Sequence, residues 1–281
     1  MIDCIVDGLL DTLKLLPYLF ITFIILEYIE HKLSKKNQKI LEKNKKVGPL
    51  FGGILGALPQ CGFSTMGANL YANKVITMGT LIAIFLSTSD EMLPIMLSEK
   101  VSILLILKII GFKVIVGIII GFIVDLIYRK KINNNINEEI NHMCNDEHCH
   151  CDHNNIFISG LVHAIKIALF ILVANLFINI VIFYVGEDNI SNVLKHNNIF
   201  TYFGASLIGL IPNCASSIIM TELYLSNFIS IGNLLSGLLT GSGLGILLLF
   251  KSNKNIKENI SILSIIYVVG VIIGIMVDII L

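Results

Sequence analysis

The chain has 281 residues, of which 55% are hydrophobic and only 14% are charged, and its formal net charge is zero. Because soluble domains carry about a quarter charged residues, this composition excludes an ordinary soluble protein and predicts a membrane protein. A net charge of zero gives no indication of a nucleic-acid partner, so the lipid bilayer is the first expected partner.

Apolar windows of roughly 20 residues, long enough to cross a bilayer, recur along the chain. They fall at 11–30, 75–98, 109–128, 164–184, 228–250 and 260–281. Acidic residues precede the first window and lysines follow it, so we interpret it as a retained helix and not as a signal peptide. The stretch 92–113 contains Lys100, Lys108 and Lys113 among apolar residues, and it predicts an interfacial helix whose lysines extend to the outer surface.

Two shorter apolar segments follow the first window, at 48–59 and 61–73. Each would form a helix of ~18 Å, which reaches the middle of a bilayer and no further. Pro59 breaks the run between them. The segments therefore predict a re-entrant hairpin with Pro59-Gln60-Cys61 at its turn, and 199–211 with 213–226 predict a second hairpin of the same kind.

Two motifs recur at an offset of 153 residues, and they predict that the chain is two copies of one unit. Pro59-Gln60-Cys61 recurs as Pro212-Asn213-Cys214, and Gly117-x3-Gly121-x3-Asp125 recurs as Gly270-x3-Gly274-x3-Asp278. The glycine motif indicates close helix packing. An odd number of crossings in each copy would invert the second, as in alternating-access carriers. An alternative count treats each hairpin arm as a full span, gives five plus five spans and also inverts the second copy.

Positive charges predict the orientation and the division of the chain. The lysine-rich segment 32–46, Arg129-Lys130-Lys131 and the lysines within 251–257 are expected on the cytoplasmic side. The predicted parts are a first membrane repeat at 1–128, a cytoplasmic loop at 129–155 and a second, inverted membrane repeat at 156–281. The expected location is the inner, or cytoplasmic, membrane, which the chain would cross several times.

The Pro-x-Cys turns are the first candidate site. Irregular backbone inside a bilayer is tolerated only where protein buries it or a cavity adjoins it. The amide oxygens of Gln60 and Asn213, with the thiols of Cys61 and Cys214, predict a cage for a cation at the middle of the membrane. The alternative is that each cysteine is a small packing residue at a helix break.

The run Ser87-Thr88-Ser89-Asp90-Glu91 is the second candidate, because two adjacent acids inside a membrane segment usually mark an ion or proton path. Alternatively, both acids lie at a helix end among lipid headgroups. Four residues are predicted metal ligands, namely Cys61, Cys214, Asp90 and Glu91. The full predicted substrate or ion path consists of Gln60, Cys61, Ser64, Ser87, Ser89, Asp90, Glu91, Asn213, Cys214, Ser217 and Ser242.

A tract rich in histidine and cysteine within the central loop predicts a third metal-binding feature. Its predicted ligands are His142, Cys144, His148, Cys149, His150, Cys151 and His153. The composition is typical of metal capture or sensing, although the spacing matches no zinc finger. The alternative is a linker whose composition has no function. Because the cytoplasm is reducing, the cysteines are expected to be thiols and not disulfides.

Several motifs resemble one bacterial family, described as ten-helix heavy-metal exporters and often labelled manganese transporters or arsenic-efflux permeases. The likeness covers about 48–98 and 203–251 and rests on Ala57–Ser64, Leu70-Tyr71, Ile76–Ile82, Ser87–Glu91, Gly209–Cys214 and Leu239–Gly243. Such proteins also tend to have a His-rich central loop. The resemblance implies export of a metal or metalloid across the inner membrane.

The predicted function is therefore a secondary transporter, not an enzyme, that exports a divalent or heavy-metal ion, with manganese favoured. Transport would occur by alternating access at a site between the two hairpins, coupled to a proton or sodium gradient, with no resident cofactor. No Walker A pattern is present. The alternatives are an arsenite or metalloid efflux permease and, in another class, a membrane thiol redox enzyme that uses Cys61 and Cys214. A homodimer is also compatible with the sequence.

Overall fold

The computed structural model describes residues 47–58, 61–89, 92–132 and 199–280, together with Ile165, Leu169 and Val173. Every regular element in these ranges is an α-helix, which confirms the predicted all-α membrane protein. The helices are α1 (Gly48–Gly56), α2 (Cys61–Ala72), α3 (Met78–Ser87), α4 (Met92–Ser98), α5 (Ile103–Ile132), α6 (Ile199–Gly209), α7 (Cys214–Leu225), α8 (Ile231–Thr240), α9 (Gly245–Ser252) and α10 (Ile256–Ile280).

Three helical stretches among the described residues are long and apolar enough to cross a membrane: Ile103–Tyr128, Ile231–Ser252 and Ile256–Ile280. The first and third are 28% buried and the second is 83% buried. The first and third stretches therefore present broad apolar surfaces, as expected where lipid covers a helix. The second stretch lies inside the bundle. The predicted windows 11–30 and 164–184 fall outside the continuous described ranges.

Two predicted windows are not continuous helices. The window 75–98 is divided into α3 and α4, and the window 228–250 into α8 and α9. The second break contains Gly243, which has a φ of 53°, a left-handed conformation that glycine adopts without a steric penalty. Each of these windows is therefore a pair of half-helices with irregular backbone between them.

The predicted interfacial helix at 92–113 is wrong. Helix α4 ends at Ser98, and α5 runs without interruption from Ile103 through Lys113. Lys100 and Lys108 are exposed, as expected, but Lys113 is completely buried. Its ammonium finds carbonyl acceptors inside the bundle and so does not need to extend to the surface.

Helices α1 and α2 form a hairpin against α3. Gly52 contacts Thr80 and Gly56 contacts Ser87, so α1 runs parallel to α3. A Cβ on Gly56 would overlap the Ser87 hydroxyl, which explains why this helix pair needs glycine. The short link 73–77 joins the end of α2 to the start of α3, so α2 runs back in the opposite direction. The end of α1 thus lies near the end of α3.

Helices α6 and α7 are arranged against α8 in the same way. Thr201 Oγ1 donates to Asn233 Oδ1 at 3.1 Å, and further along α6 Gly209 contacts Gly237, so α6 runs parallel to α8. The link 226–230 joins α7 to the start of α8. Each half of the described chain therefore has a hairpin packed on a half-helix.

The Gly-x3-Gly-x3-Asp motif of α5 secures the start of α3. A Cβ on Gly79 would overlap the carbonyl oxygen of Gly121, so the two backbones are in direct contact. Asp125 Oδ1 accepts a hydrogen bond from the Gly79 N–H at 2.8 Å, and its Oδ2 accepts one from Thr77 Oγ1 at 2.7 Å. A carboxylate at a helix N-terminus satisfies unpaired N–H groups and favours the positive end of the helix dipole.

The second copy of the motif makes the same contacts at the start of α8. Gly232 lies against the backbone of Gly274, and Asp278 Oδ1 accepts from the Gly232 N–H at 2.8 Å. Asp278 Oδ2 accepts from the hydroxyls of Ser230 and, at 2.7 Å, Tyr202. The prediction of close helix packing is confirmed at both copies.

The substitution Gly79→Ala should destabilise the protein, because the added methyl would overlap the carbonyl oxygen of Gly121, and this backbone atom can move only if helix α5 shifts. We expect a loss of about 1–3 kcal/mol, the usual cost of overpacking, seen as a lower melting temperature in detergent. Gly111→Ala is the matched control, since no atom lies within 4 Å of a Cβ at Gly111. That variant should be neutral or gain roughly 0.5–1 kcal/mol. Equal melting temperatures for the two variants would contradict the contact.

Candidate functional site

The first helix break begins where side-chain hydroxyls replace the lost backbone hydrogen bonds of α3. Thr88 Oγ1 donates to the Ile84 carbonyl at 2.7 Å, and Ser87 Oγ donates to the Ala83 carbonyl at 2.8 Å. Ser89 Oγ donates back to the Ser87 carbonyl at 3.2 Å. Such bonds compete with continuation of the helix. The predicted path residues Ser87 and Ser89 therefore bond to the backbone of the break.

At the second helix break, the Thr240 hydroxyl also donates to a backbone carbonyl, whereas the Ser242 hydroxyl has no partner among the described residues. Thr240 Oγ1 donates to the Ser236 carbonyl at 3.0 Å. Ser242 is completely buried, and its hydroxyl has no hydrogen-bond partner in the part of the chain that the structure describes. A buried hydroxyl without a partner is costly, so it points to a water or ligand contact at this break.

Asn213 and Ser216 shape the turn of the second hairpin. The Asn213 N–H donates to the Ile211 carbonyl at 2.7 Å, and Ser216 Oγ donates to the Asn213 carbonyl at 2.8 Å. Both residues are buried. The start of α7 thus has a compact polar turn whose amide and hydroxyl groups lie inside the bundle.

A small cavity lies where these features meet. It is lined by Thr88 from the first break, by residues of the second hairpin and by residues at the second break. The lining residues of the latter two groups are Asn213, Ser216, Ser217, Leu238, Gly241 and Gly243. The site is thus assembled from both halves of the chain, and hydroxyl and amide groups share its lining with apolar atoms.

The structure brings two of the predicted path residues, Asn213 and Ser217, into the wall of this cavity. Ser242 lies between two lining glycines. Ser64 is buried elsewhere, where α2 packs on Gly245 of α9. Thr88, which belongs to the second candidate run but was not among the predicted path residues, lines the cavity as the first residue after α3.

The remaining predicted residues cannot be placed. Gln60, Asp90, Glu91 and the loop residues from His142 to His153 fall outside the described residues. Cys61 and Cys214 begin α2 and α7, but their side chains also fall outside the description. Within the described residues, no three His, Cys, Asp or Glu side chains lie close enough together to hold a metal ion.

Lys113 is a further residue at the site that the sequence analysis did not predict there. Its Nζ donates to the carbonyl oxygen of Thr88 and, at 2.8 Å, to that of Leu238. Both acceptors belong to residues that line the cavity, so the Lys113 side chain lies directly behind its wall. The sequence feature that could have predicted its burial is the position of Lys113 within the apolar window. Lys113 is ten residues into α5, which places it ~15 Å along the helix and near the middle of a bilayer.

Apolar spans, paired half-helices and a buried polar cavity define a polytopic helical membrane protein. The whole chain matches the model of a family described as "Putative, 10TM heavy-metal exporter", at residues 1–182 and 152–281. The chain therefore belongs to this family, as its motifs indicated. No curated protein and no solved structure matches the chain.

Removing the Ser242 hydroxyl should cost little stability, because it makes no hydrogen bond with the described residues. For Ser242→Ala we expect a change within about 0.5 kcal/mol in thermal unfolding. The control is Ser236→Ala, since the buried Ser236 hydroxyl donates to the Gly270 carbonyl at 3.0 Å. That variant should lose roughly 1 kcal/mol. A larger loss for Ser242→Ala than for Ser236→Ala would show that the Ser242 hydroxyl has a protein partner after all.

Proposed function

We propose that this protein is a secondary carrier that exports a heavy-metal species from the cytoplasm by alternating access, with its substrate site at the cavity described above. The observation that carries the proposal is the composition of that cavity. Half-helix ends from both halves and the turn of the second hairpin converge there, and carriers bind solutes at such breaks near the middle of the membrane. Membership of the exporter family supports the same function.

The proposed alternation needs two inverted halves, and the side-chain contacts at the two ends of the bundle support them. Lys74 pairs with Glu258 at 3.6 Å and Tyr128 bonds to Ser261, so the ends of α2 and α5 share one face with the start of α10. The lysines within 251–257 flank the start of α10, so we assign this face to the cytoplasm. Asp278, at the other end of α10, bonds to the starts of α6 and α8. The two hairpins would then open to opposite sides of the inner membrane.

Manganese is the first substrate candidate. Asp90 and Glu91 follow Thr88, a cavity residue, by only two and three positions. Their carboxylates, with hydroxyl, amide and backbone oxygens, are the hard ligands that manganese prefers. Cys61 and Cys214 are proposed as additional ligands, because both begin helices that start from the hairpin turns. We propose no resident cofactor.

Arsenite is the second candidate, and the observation that favours it is that none of the described residues lining the cavity is charged. Trivalent arsenic hydroxide is uncharged at neutral pH, so it needs no charged partner in this lining. It would use the proposed thiol ligands and the hydroxyl and amide groups of the cavity.

The two substrates can be separated by transport into inside-out membrane vesicles. If manganese is the cargo, Asp90→Asn and Glu91→Gln should each reduce manganese transport at least about tenfold, the effect of losing ~1.4 kcal/mol of binding. Glu99→Gln is the matched control, because Glu99 is an exposed acid beyond the end of α4. Arsenite transport that survives both acid substitutions but not Cys61→Ser would identify the metalloid. If vesicles with the intact protein move neither substrate nor any other heavy metal, the proposal is wrong.

We propose that the His/Cys tract of the central loop collects metal on the cytoplasmic side. Replacing His148, Cys149, His150 and Cys151 by serine should then raise the half-saturating metal concentration severalfold and leave the maximal rate unchanged. The dependence of vesicle transport on metal concentration measures both. A lower maximal rate with an unchanged half-saturating concentration would instead place the tract in the transport step.

The thiol redox alternative predicts a reversible disulfide between Cys61 and Cys214. Membership of an exporter family favours a carrier over an enzyme. A homodimer stays a prediction.

A further inference from the structure

We infer that the Lys113 ammonium is a built-in substitute for a bound sodium ion at the junction of the two halves. The inference rests on the proposed carrier function for its role in transport, but its structural part can be tested without a substrate. It makes Lys113 a positioning residue, because it acts through the backbone that forms the cavity wall.

The geometry around Lys113 is that of a cation site. Its side chain is completely buried, and its Nζ donates to the carbonyls of Thr88 and Leu238. Thr88 is the C-terminal cap of α3, and Leu238 lies in the last turn of α8. One ammonium therefore contacts the carbonyl ends of two half-helices, one from each half of the chain.

The two carbonyl ends at this junction favour a cation, because the C-terminal end of a helix carries a partial negative charge. In carriers with broken helices, half-helix C-terminal ends and unwound carbonyls commonly coordinate the coupling sodium ion or proton. Here a side chain from α5 occupies that position.

The position equivalent to Lys113 in the second half is Ile266, which is also completely buried. The two halves therefore each contribute one helix end to the junction, but only the first half contributes a lysine. This asymmetry fits an ion substitute better than a packing role, because a packing residue at this position can be apolar, as Ile266 is. Lys113 joins the halves through its charge.

The inference predicts that sodium has no specific effect on the intact protein and that a variant with space but no ammonium acquires one. Lys113→Ala removes the charge and leaves room for a hydrated ion beside the same carbonyls. Lys113→Met removes the charge but keeps most of the volume. Lys108→Ala is the control for loss of a lysine from the same helix, because Lys108 is exposed.

The experiment is thermal unfolding in detergent, with the proteins purified in NaCl and measured in NaCl or in choline chloride at equal ionic strength. Lys113→Ala should melt at a lower temperature than the intact protein in choline chloride. It should regain roughly 2–4 °C with NaCl, in a saturable way. Lys113→Met should also melt lower but gain nothing from NaCl, and Lys108→Ala should behave like the intact protein.

Two results would overturn the inference. One is a folded Lys113→Ala protein whose melting temperature is the same in both salts. The other is a saturable sodium effect on the intact protein, which would mean that sodium already has its own site; this second result can be obtained even if Lys113→Ala does not fold. A failure of the metal-transport assays alone would count against the proposed function and leave this inference standing, because unfolding needs no substrate.

Discussion

The constraint on which the structure depends is that backbone groups at helix ends must find partners inside an apolar bundle. The described chain contains four half-helices, α3, α4, α8 and α9, and two of them end at the central cavity. At their starts, Asp125 and Asp278 accept the free N–H groups. At their carbonyl ends, Thr88 and Thr240 hydroxyls and the Lys113 ammonium act as donors. Irregular backbone is thereby tolerated where a carrier needs it.

This arrangement explains why the glycines lie where they do. The carboxylate of Asp125 reaches the Gly79 N–H only because α5 approaches α3 with no side chain between them, at Gly121 and Gly79. The same reasoning holds for Asp278 with Gly232 and Gly274. Helix packing and helix capping therefore depend on each other. The glycines set the distance between the helix axes, and at that distance the aspartate can accept the N–H groups of a helix start.

Patterns with a local physical cause were predictable from the sequence. The hairpin arms followed from segment length and from the Pro-x-Cys breaks, and the glycine contacts followed from their spacing. The breaks between α3 and α4 and between α8 and α9 were missed, because apolar windows measure hydrophobicity and not backbone continuity. Lys113 was misjudged for a related reason. A lysine in an apolar run is expected at the surface unless the protein interior supplies hydrogen-bond acceptors for its ammonium. For Lys113 these acceptors are the carbonyls of Thr88 and Leu238, which are distant in sequence. Only the tertiary structure brings them together.

The two halves share their helix arrangement but differ in their charged residues near the cavity. The frame is duplicated: each half supplies a hairpin, a half-helix with a carbonyl end at the centre and a capping aspartate. Lys113 corresponds to Ile266, and Asp90 and Glu91 correspond to Gly243 and Leu244. In the proposed carrier, a duplicated frame would permit two similar conformations, each open to one side of the membrane, whereas these charged residues occur in one half only. Because Thr88 contacts Lys113 and precedes Asp90 by two residues, the added positive and negative groups adjoin the same helix break. In the proposed carrier, Lys113 and the two acids would together set which charge a cargo in the cavity can carry.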